Sequence, residues 1–176
     1  EIINKSYKKF RTKNVVKIKK FGNMNLLELF HGPTLAFKDI AMQVIGNMYE
    51  RILKKNNSKI NIIVATSGDT GAAAISAIKD RKNMNIFVLH PKDKISDVQR
   101  KFMTTVNSSN VFNIALNSNF DECQKFVKLM FEDKSFRTSI NMSGVNSINW
   151  ARIVIQIVYY FYAYFKVADN KEKINF

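Results

Sequence analysis

The chain has 176 residues, of which 46% are hydrophobic, and it carries a formal net charge of +14. A chain of this length can form one folded core, or one core plus part of another. Its single cysteine, Cys123, excludes an intramolecular disulfide and a cysteine-based metal cluster. We therefore expect no metal site and a reducing, cytoplasmic location. The chain begins with Glu1 and shows no signal-peptide pattern, so we expect that it starts inside a longer protein.

The positive charge suggests a nucleic-acid partner and one long apolar segment suggests a membrane, but the details of the sequence support neither. The lysines are scattered, and the densest basic stretch, residues 5–20, has no motif typical of RNA or DNA binding. We expect no nucleic-acid partner, although a positive surface would attract anionic small molecules. The apolar segment 153–165 is shorter than the roughly 20 residues that a membrane-spanning helix needs. We expect it to be a buried core helix and expect no membrane partner.

The first part of the chain predicts one strand and one long helix. Residues 26–30 are typical of a short strand that ends at Gly32 and Pro33. From Asp39 onward, apolar residues recur in pairs every four positions, which predicts a helix that ends at residues 56–58. Asp39 in the first turn of this helix and lysines in its last turn suit the helix dipole.

The middle of the chain alternates short strands with helices. Strands are predicted at 60–65, 85–89 (ended by His90 and Pro91) and 111–116, with a loop at 66–71 and helices at 72–79, 96–105 and from 118–121 to about 131. Either Ser118 or Asn119 is expected to cap the last of these helices. Alternation of this kind predicts an α/β fold with an open, mostly parallel sheet and helices on both faces, in three layers.

The last part of the chain predicts a second long helix. Residues 137–142 form a short mixed stretch, and a helix is expected from about 150 to 167, followed by a turn at 169–173 and the start of a strand at 174–176. We expect three segments. Residues 1–38 would be a leader and strand that deliver a lysine, 39–145 a small α/β domain, and 146–176 a long helix that begins a larger domain.

Lys38 is the first candidate for chemistry. It lies between the break at Gly32 and Pro33 and the start of the long helix. An amine at a helix N-terminus in partly apolar surroundings loses its proton more readily, because desolvation and the helix dipole both disfavour the ammonium. Phe37 offers apolar cover. Taken alone, the triplet around Lys38 is far more typical of a lysine that begins a solvated helix face.

The loop at 66–71 is a candidate anion site. It offers glycine backbone, hydroxyl groups and the N-terminus of the following helix. The candidate ligands are Ser67, Gly68, Asp69, Thr70 and Gly71. The loop lacks the residues of a P-loop or of a dinucleotide-binding turn. An ordinary strand-to-helix turn capped by Asp69 or Thr70 is the alternative.

A third group of polar residues surrounds the start of the second long helix. Asn146, Ser147, Asn149 and Arg152 bring amides, a hydroxyl and a guanidinium together, which suits a phosphate or a carboxylate. A capped helix with a solvated arginine is the alternative. The two histidines and Cys123 have no partners at the spacing of a metal site or a catalytic triad, although His31 is close enough to Lys38 in sequence to line the same pocket.

Taken in order, four segments resemble threonine synthase, a pyridoxal-phosphate (PLP) enzyme family of fold type II. Residues 31–39 closely match the lysine motif of that family, and residues 66–71 match its substrate-carboxylate loop. Residues 120–124 are similar to a further family segment. Residues 146–149, together with Arg152, are similar to its phosphate site.

The resemblance implies a reaction and a role for each residue. Lys38 would bind PLP covalently and later move protons. The loop of Ser67, Gly68, Asp69, Thr70 and Gly71 would hold the carboxylate of O-phospho-L-homoserine, and Ser67 and Thr70 would also touch its phosphate. Asn146, Ser147 and Arg152 would grip that phosphate. The activity implied is the conversion of O-phospho-L-homoserine and water to L-threonine and phosphate, by a carbon–oxygen lyase that acts on phosphates at the last step of threonine biosynthesis.

Two features of the family are missing from this sequence. Family members continue into a glycine- and asparagine-rich loop that holds the cofactor phosphate, and then into a larger domain. We therefore expect a truncated fold type II arrangement that binds PLP weakly and is inactive alone. A related PLP lyase or dehydratase acting on another amino acid, or a non-catalytic module, remains as an alternative. The phosphate site argues against an unphosphorylated substrate.

Overall fold

The computed structural model describes residues 1–146, 149–168, 173, 175 and 176. The described part of the chain forms helices and strands that alternate from residue 38 onward. In chain order these are α1 (Ile2–Tyr7), β1 (Lys17–Phe21), β2 (Met24–Glu28), α2 (Lys38–Lys55), β3 (Ile60–Ala65), α3 (Asp69–Ile78), β4 (Met84–Pro91), α4 (Asp97–Thr104), β5 (Val111–Leu116), α5 (Phe120–Glu132), α6 (Lys134–Ser139), β6 (Met142–Gly144) and α7 (Trp150–Val167).

Four strands form one parallel sheet in the order β5-β4-β3-β6. Strands β4 and β5 are added in turn at one edge of β3. The chain then crosses back, and β6 pairs with the opposite edge of β3. Strand order therefore reverses between β3 and β6. In open α/β sheets, ligands bind outside the carboxyl ends of the strands at such a reversal. This edge carries the loop that follows β3 and the residues that follow β6.

The two faces of the sheet build separate apolar clusters, as the period of two along a strand requires. Ile62 and Val64 of β3 face α2 and α3, and the alanine-rich α3 packs closely on the sheet. Ile63 faces the opposite side, where Leu89 and Cys123 complete the cluster under α5. Helices on both faces confirm the predicted three-layer arrangement around a parallel sheet.

The N-terminal region differs from the prediction. The strand expected at 26–30 is β2, which begins at Met24 and ends at Glu28, and it pairs with β1 in an antiparallel ribbon. The sequence pattern does not indicate β1, because exposed lysines lie on both sides of this strand. Such a ribbon needs no regular apolar alternation. Residues next to the ribbon pack against Ile40 of α2 and Tyr159 of α7.

The helix α7 lies where it was predicted, but the expectation that it is buried is wrong. Only Arg152, Gln156, Tyr159 and Ala163 are buried, and they form one stripe along the helix. The other sides expose large apolar side chains, among them Val158 at 65%. The stripe is narrow because α2 is the main helix that packs against α7. No helix in the described ranges is long and apolar enough to cross a membrane.

Three further boundaries differ from the prediction. The helix α3 begins at Asp69 rather than at residue 72, so part of the predicted loop is its first turn. The strand β4 continues through His90 and Pro91, because β3 ends opposite Leu89 and the missing proline amide removes no bond to β3. The elements α6 and β6 were not predicted.

Two predictions are not settled by the described residues. The predicted turn at 169–173 and the strand start at 174–176 fall largely outside them. The division of the chain into segments 1–38, 39–145 and 146–176 stays a prediction.

Candidate active site

Lys38 is the first residue of α2, as the sequence predicted. Its side chain is 14% exposed, and its Nζ lies 3.5 Å from Oδ2 of Asp69. The same Nζ lies 4.5 Å from the centre of the Phe37 ring, which supplies the expected apolar cover. The amine is therefore held between a carboxylate and an aromatic face at a helix N-terminus.

The turn that leads into Lys38 is organised by the next residue, Asp39. The Asp39 side chain is fully buried, and it accepts hydrogen bonds from the backbone amide of Thr34 at 2.7 Å and from the Thr34 hydroxyl at 2.8 Å. Burial raises the pKa of Asp39, and the hydrogen bonds from Thr34 oppose that rise. A Cβ atom at Gly32 would lie 2.5 Å from Oδ2 of Asp39, so only glycine fits there. From the sequence, Asp39 was interpreted only as a favourable charge for the helix dipole.

His31 is engaged with the N-terminal ribbon. Its Nε2 lies 2.9 Å from Oε2 of Glu28, and Lys19 Nζ lies 2.6 Å from the other oxygen of that carboxylate. The hydrogen bond from Lys19 holds the pKa of Glu28 below its usual value, and His31 adds to the effect. This cluster ties the ribbon to the lysine segment. It gives His31 a structural role, which the sequence favoured over lining the pocket of Lys38.

The loop after β3 is organised by Thr66. Its Oγ1 accepts hydrogen bonds from the amides of Gly68, at 3.0 Å, and Gly71, at 2.9 Å. The first four amides of a helix have no partner within the helix, and here Thr66 takes two of the four. The amides of Asp69 and Thr70 are the other two. The sequence places Thr66 at the end of a strand, but no local pattern indicates that its hydroxyl would build the loop.

Gln99 of α4 completes this loop from the other side. Its Nε2 donates to Oδ1 of Asp69 at 2.6 Å. Gly68 has φ of +141°, and a Cβ atom there would lie 2.5 Å from Cδ of Gln99. Sequence reasoning missed Gln99, because a residue 30 positions from Asp69 leaves no local signal. Ser67, the loop's remaining predicted ligand, is exposed.

Asn146 lies just beyond the carboxyl end of β6, the strand next to β3. It lines a cavity of about 730 Å³ together with Ala65 at the end of β3 and Asn149 at the start of α7. Gln124 of α5 lies on the same cavity. Asn149 caps α7, since its Oδ1 accepts a hydrogen bond from the amide of Arg152. Ser147 falls outside the described residues.

Arg152 is buried rather than solvated, with 6% of its surface exposed. Burial lowers the pKa of the Arg152 guanidinium, and the nearby Tyr159 opposes that fall. Burial, with a contribution from Tyr160, raises the pKa of Tyr159 to about 12. The arginine therefore lies in the buried stripe of α7, the helix that packs against the one that Lys38 begins.

The segment 120–124 mainly serves the start of α5. Asn119 and Glu122 form a reciprocal capping box, which decides between the two predicted caps. Cys123 is buried, and its Sγ lies 3.4 Å from the hydroxyl of Ser118. Within the described ranges, no group of three or more histidine, cysteine or acidic side chains is arranged to hold a metal ion.

Comparison with known proteins identifies the relatives of this chain, although no protein-family model matches it. It is 43% identical to the threonine synthase of Eremothecium gossypii over 97% of its length, and 44% identical to that of Pseudomonas aeruginosa over its whole length. The chain is homologous to the threonine synthases. It covers 36% and 38% of the length of these two relatives.

The fold agrees with this homology. A crystal structure of PLP-bound threonine synthase from Brucella melitensis matches 98% of the chain with a TM-score of 0.90 and 44% sequence identity, and the match covers 38% of that enzyme. The likeness to threonine synthase confirms the family resemblance inferred from the four segments. It also confirms the expected fold type II arrangement of a parallel sheet between helices.

Proposed function

We propose that this chain carries the lysine and the substrate loop of a threonine synthase, which converts O-phospho-L-homoserine and water to L-threonine and phosphate. The observation that carries the proposal is the position of Lys38. Its amine lies at a helix start, 3.5 Å from Asp69 in the loop at the carboxyl edge of the sheet. Homology to threonine synthases over nearly the whole chain supports it.

The residues around Lys38 fit the covalent attachment of PLP. The amine is largely shielded from water, and the buried Asp39 fixes the turn from which it projects. The homologue from Brucella melitensis has PLP bound. Bound PLP would supply the electron sink that the reaction needs. Lys38 would hold the cofactor and then carry protons to and from the substrate carbons.

The start of α3 fits the carboxylate of the substrate. The amides of Asp69 and Thr70 lie at the positive end of the helix, and the hydroxyl groups of Ser67 and Thr70 add donors. The amides of Gly68 and Gly71 are already bound by Thr66. These two glycines would therefore give shape and room to the site rather than hydrogen bonds.

Asn146, Ser147 and Arg152 would hold the phosphate of the substrate. Asn146 lies at the same edge of the sheet as the loop after β3. The desolvated charge of Arg152 would attract a phosphate dianion more strongly than an exposed arginine does. Holding the phosphate as it leaves would lower the barrier to its departure. We propose no nucleic-acid or membrane partner. The buried free thiol of Cys123 suits a reducing location such as the cytoplasm.

The test is to map where PLP attaches and then to measure turnover. The full-length protein is treated with PLP and borohydride, digested, and its labelled peptide identified. We expect label at Lys38, none in Lys38→Ala, and unchanged labelling in the exposed-lysine control Lys54→Ala. Turnover of O-phospho-L-homoserine should exceed that of serine and threonine. Label on another lysine, or faster turnover of an unphosphorylated amino acid, would contradict the proposal.

A further inference from the structure

We propose that Gln99 is a positioning residue for Lys38, which acts by holding the carboxylate of Asp69 against the lysine amine. The inference deepens the function proposed above and rests on the role that it gives to Lys38. Three side chains from three helices form the arrangement: Lys38 begins α2, Asp69 begins α3, and Gln99 lies in the first turn of α4.

The amide group of Gln99 is held at both ends. Its Nε2 donates to Oδ1 of Asp69 at 2.6 Å, and its Oε1 accepts from the hydroxyl of Ser96 at 2.9 Å. Ser96 is itself fixed, because its Oγ caps α4 by accepting from the backbone amide of Gln99. Because the Ser96 hydroxyl donates to Oε1 of Gln99, the other end of the amide, Nε2, faces the carboxylate of Asp69. The orientation of the Gln99 amide is thus set by its own helix.

Each oxygen of the Asp69 carboxylate has a different partner. Oδ1 accepts from Gln99, and Oδ2 lies 3.5 Å from Nζ of Lys38. The Asp69 side chain is 46% exposed, so an isolated ion pair at this position would be weakened by water and by side-chain freedom. The hydrogen bond from Gln99 removes much of that freedom. It keeps the negative charge on the side of the lysine.

The backbone next to Asp69 leaves room for this contact. Gly68 has φ of +141°, and an added Cβ would meet Gln99 at three atoms: Cδ at 2.5 Å, Oε1 at 2.6 Å and Cβ at 2.9 Å. The glutamine therefore occupies the space that a side chain at residue 68 would fill. This close approach is a separate observation from the hydrogen bond. Both indicate that the loop and Gln99 are built as one unit.

The arrangement assigns Asp69 to the lysine rather than to the substrate. A carboxylate repels the carboxylate of a bound amino acid, whereas it attracts a neighbouring ammonium. Held beside Lys38, it engages the lysine amine in an ion pair and keeps that amine in place. The substrate carboxylate would then be bound by the amides and hydroxyl groups of the loop.

The test measures the reactivity of Lys38 in the full-length protein without PLP. The rate of acetylation by acetic anhydride at neutral pH is followed by peptide mass spectrometry, with the exposed Lys125 as internal reference. We expect Gln99→Met, which keeps the side-chain volume, to speed Lys38 labelling about two- to fivefold, as loss of a partly exposed ion pair implies. Asp69→Asn should be at least as fast. The double variant should match Asp69→Asn alone, because Gln99 acts through Asp69.

The matched control is Gln43→Met, which removes a glutamine hydrogen bond to Ser76 elsewhere on α2 and should leave the Lys38 rate unchanged. Gln99→Asn, too short to reach Asp69, is the second variant and should act as Gln99→Met does. An unchanged Lys38 rate in a folded Gln99 variant would overturn the inference, as would an undiminished effect in the Asp69→Asn background. Failure of PLP to attach, with these rates as expected, would overturn only the proposed function.

Discussion

The buried carboxylate of Asp39 holds both polar hydrogens of Thr34, the backbone amide at 2.7 Å and the hydroxyl at 2.8 Å. These two bonds close the turn that delivers Lys38 to the start of α2. The turn is strained at Leu35, whose φ of +61° costs of order 1 kcal/mol. The position of the lysine therefore depends on a charged side chain that water does not reach.

Replacing Asp39 by asparagine should destabilise this turn. Asparagine replaces a charged acceptor of two hydrogen bonds by a neutral amide, whose Oδ1 can accept from the Thr34 backbone amide while its Nδ2 can only donate to the Thr34 hydroxyl. We expect the free energy of unfolding to fall by about 2–4 kcal/mol, measured by urea denaturation. Thr34→Val, which loses only the hydroxyl bond, should cost about 1 kcal/mol. Equal costs for the two variants would contradict this account.

The difference in stability between the natural protein and Asp39→Asn should also depend on pH. Burial raises the pKa of Asp39 above its ordinary value of 3.8, so the folded state binds this proton more tightly than the unfolded state. The stability of the natural protein relative to Asp39→Asn should therefore fall as the pH rises from about 3.8 through the raised value. If the stability of the natural protein relative to Asp39→Asn instead grew with pH in this range, the hydrogen bonds from Thr34 would outweigh the effect of burial on the pKa of Asp39.

Glu28 should show the opposite dependence. The hydrogen bond from Lys19, with a contribution from His31, holds the pKa of Glu28 below its ordinary value of 4.5. The unfolded state then binds the proton more tightly, so the stability that Glu28 provides is present above pH 4.5 and is lost as the pH falls through the lowered pKa.

Glu28→Gln tests this prediction. Urea denaturation is followed from pH 3 to pH 6, and the difference between the natural protein and Glu28→Gln should shrink toward the acid end. The comparison cancels the contribution of Asp39, which both proteins carry. A difference that is independent of pH would contradict an ion pair at Glu28.

Gly68→Ala should destabilise the loop after β3 for two reasons. Alanine disfavours φ of +141°, and its Cβ would lie 2.5 Å from Cδ of Gln99. We expect a loss of about 2–4 kcal/mol in the free energy of unfolding. Gly22→Ala is the matched control, because φ there is +57° and no atom lies within 4 Å of the added Cβ, and it should cost only about 1 kcal/mol.

The double variant Gly68→Ala with Gln99→Ala separates the two causes. Shortening residue 99 removes the clashes with Cδ and Oε1 but leaves the Cβ contact at 2.9 Å and the backbone strain, so part of the stability should return. If the double variant is no more stable than Gly68→Ala, then the amide end of Gln99 is not the group that limits the space at residue 68.

Thr66→Val should destabilise the same loop, although the two side chains have nearly the same shape. Valine fills the volume of threonine but leaves the amides of Gly68 and Gly71 without their acceptor. We expect a loss of about 2–4 kcal/mol in thermal or urea unfolding, and Thr66→Ser should retain most of the stability. Hydrogen exchange at the two glycine amides should quicken in the valine variant, and slow exchange there would contradict the assigned bonds.

The regular elements of this protein follow from local patterns. The bounds of β3 and β5 were predicted to the residue, and those of α2 and α7 to within one residue. The reason is that burial on one side imposes a period of 3.6 on a helix, while burial on both sides selects the run of β-branched residues seen in β3. Lys38 was placed at a helix start for the same reason. The ribbon strand β1 and the short β6 carry no such period and were missed.

The sequence by itself therefore determined three of the four strands of the parallel sheet, the longer helices and the four segments that resemble threonine synthase. Only the tertiary structure decided how those segments are held. Asp39 turns back onto Thr34, Thr66 takes two loop amides, and Gln99 reaches Asp69 from 30 residues away. The contact of Gln99 with Asp69 forms because parallel strands bring their carboxyl ends to one edge, where loops distant in sequence meet. The periodic pattern of a helix or strand indicates which of its faces is buried. It does not indicate which loop of another element will contact its end.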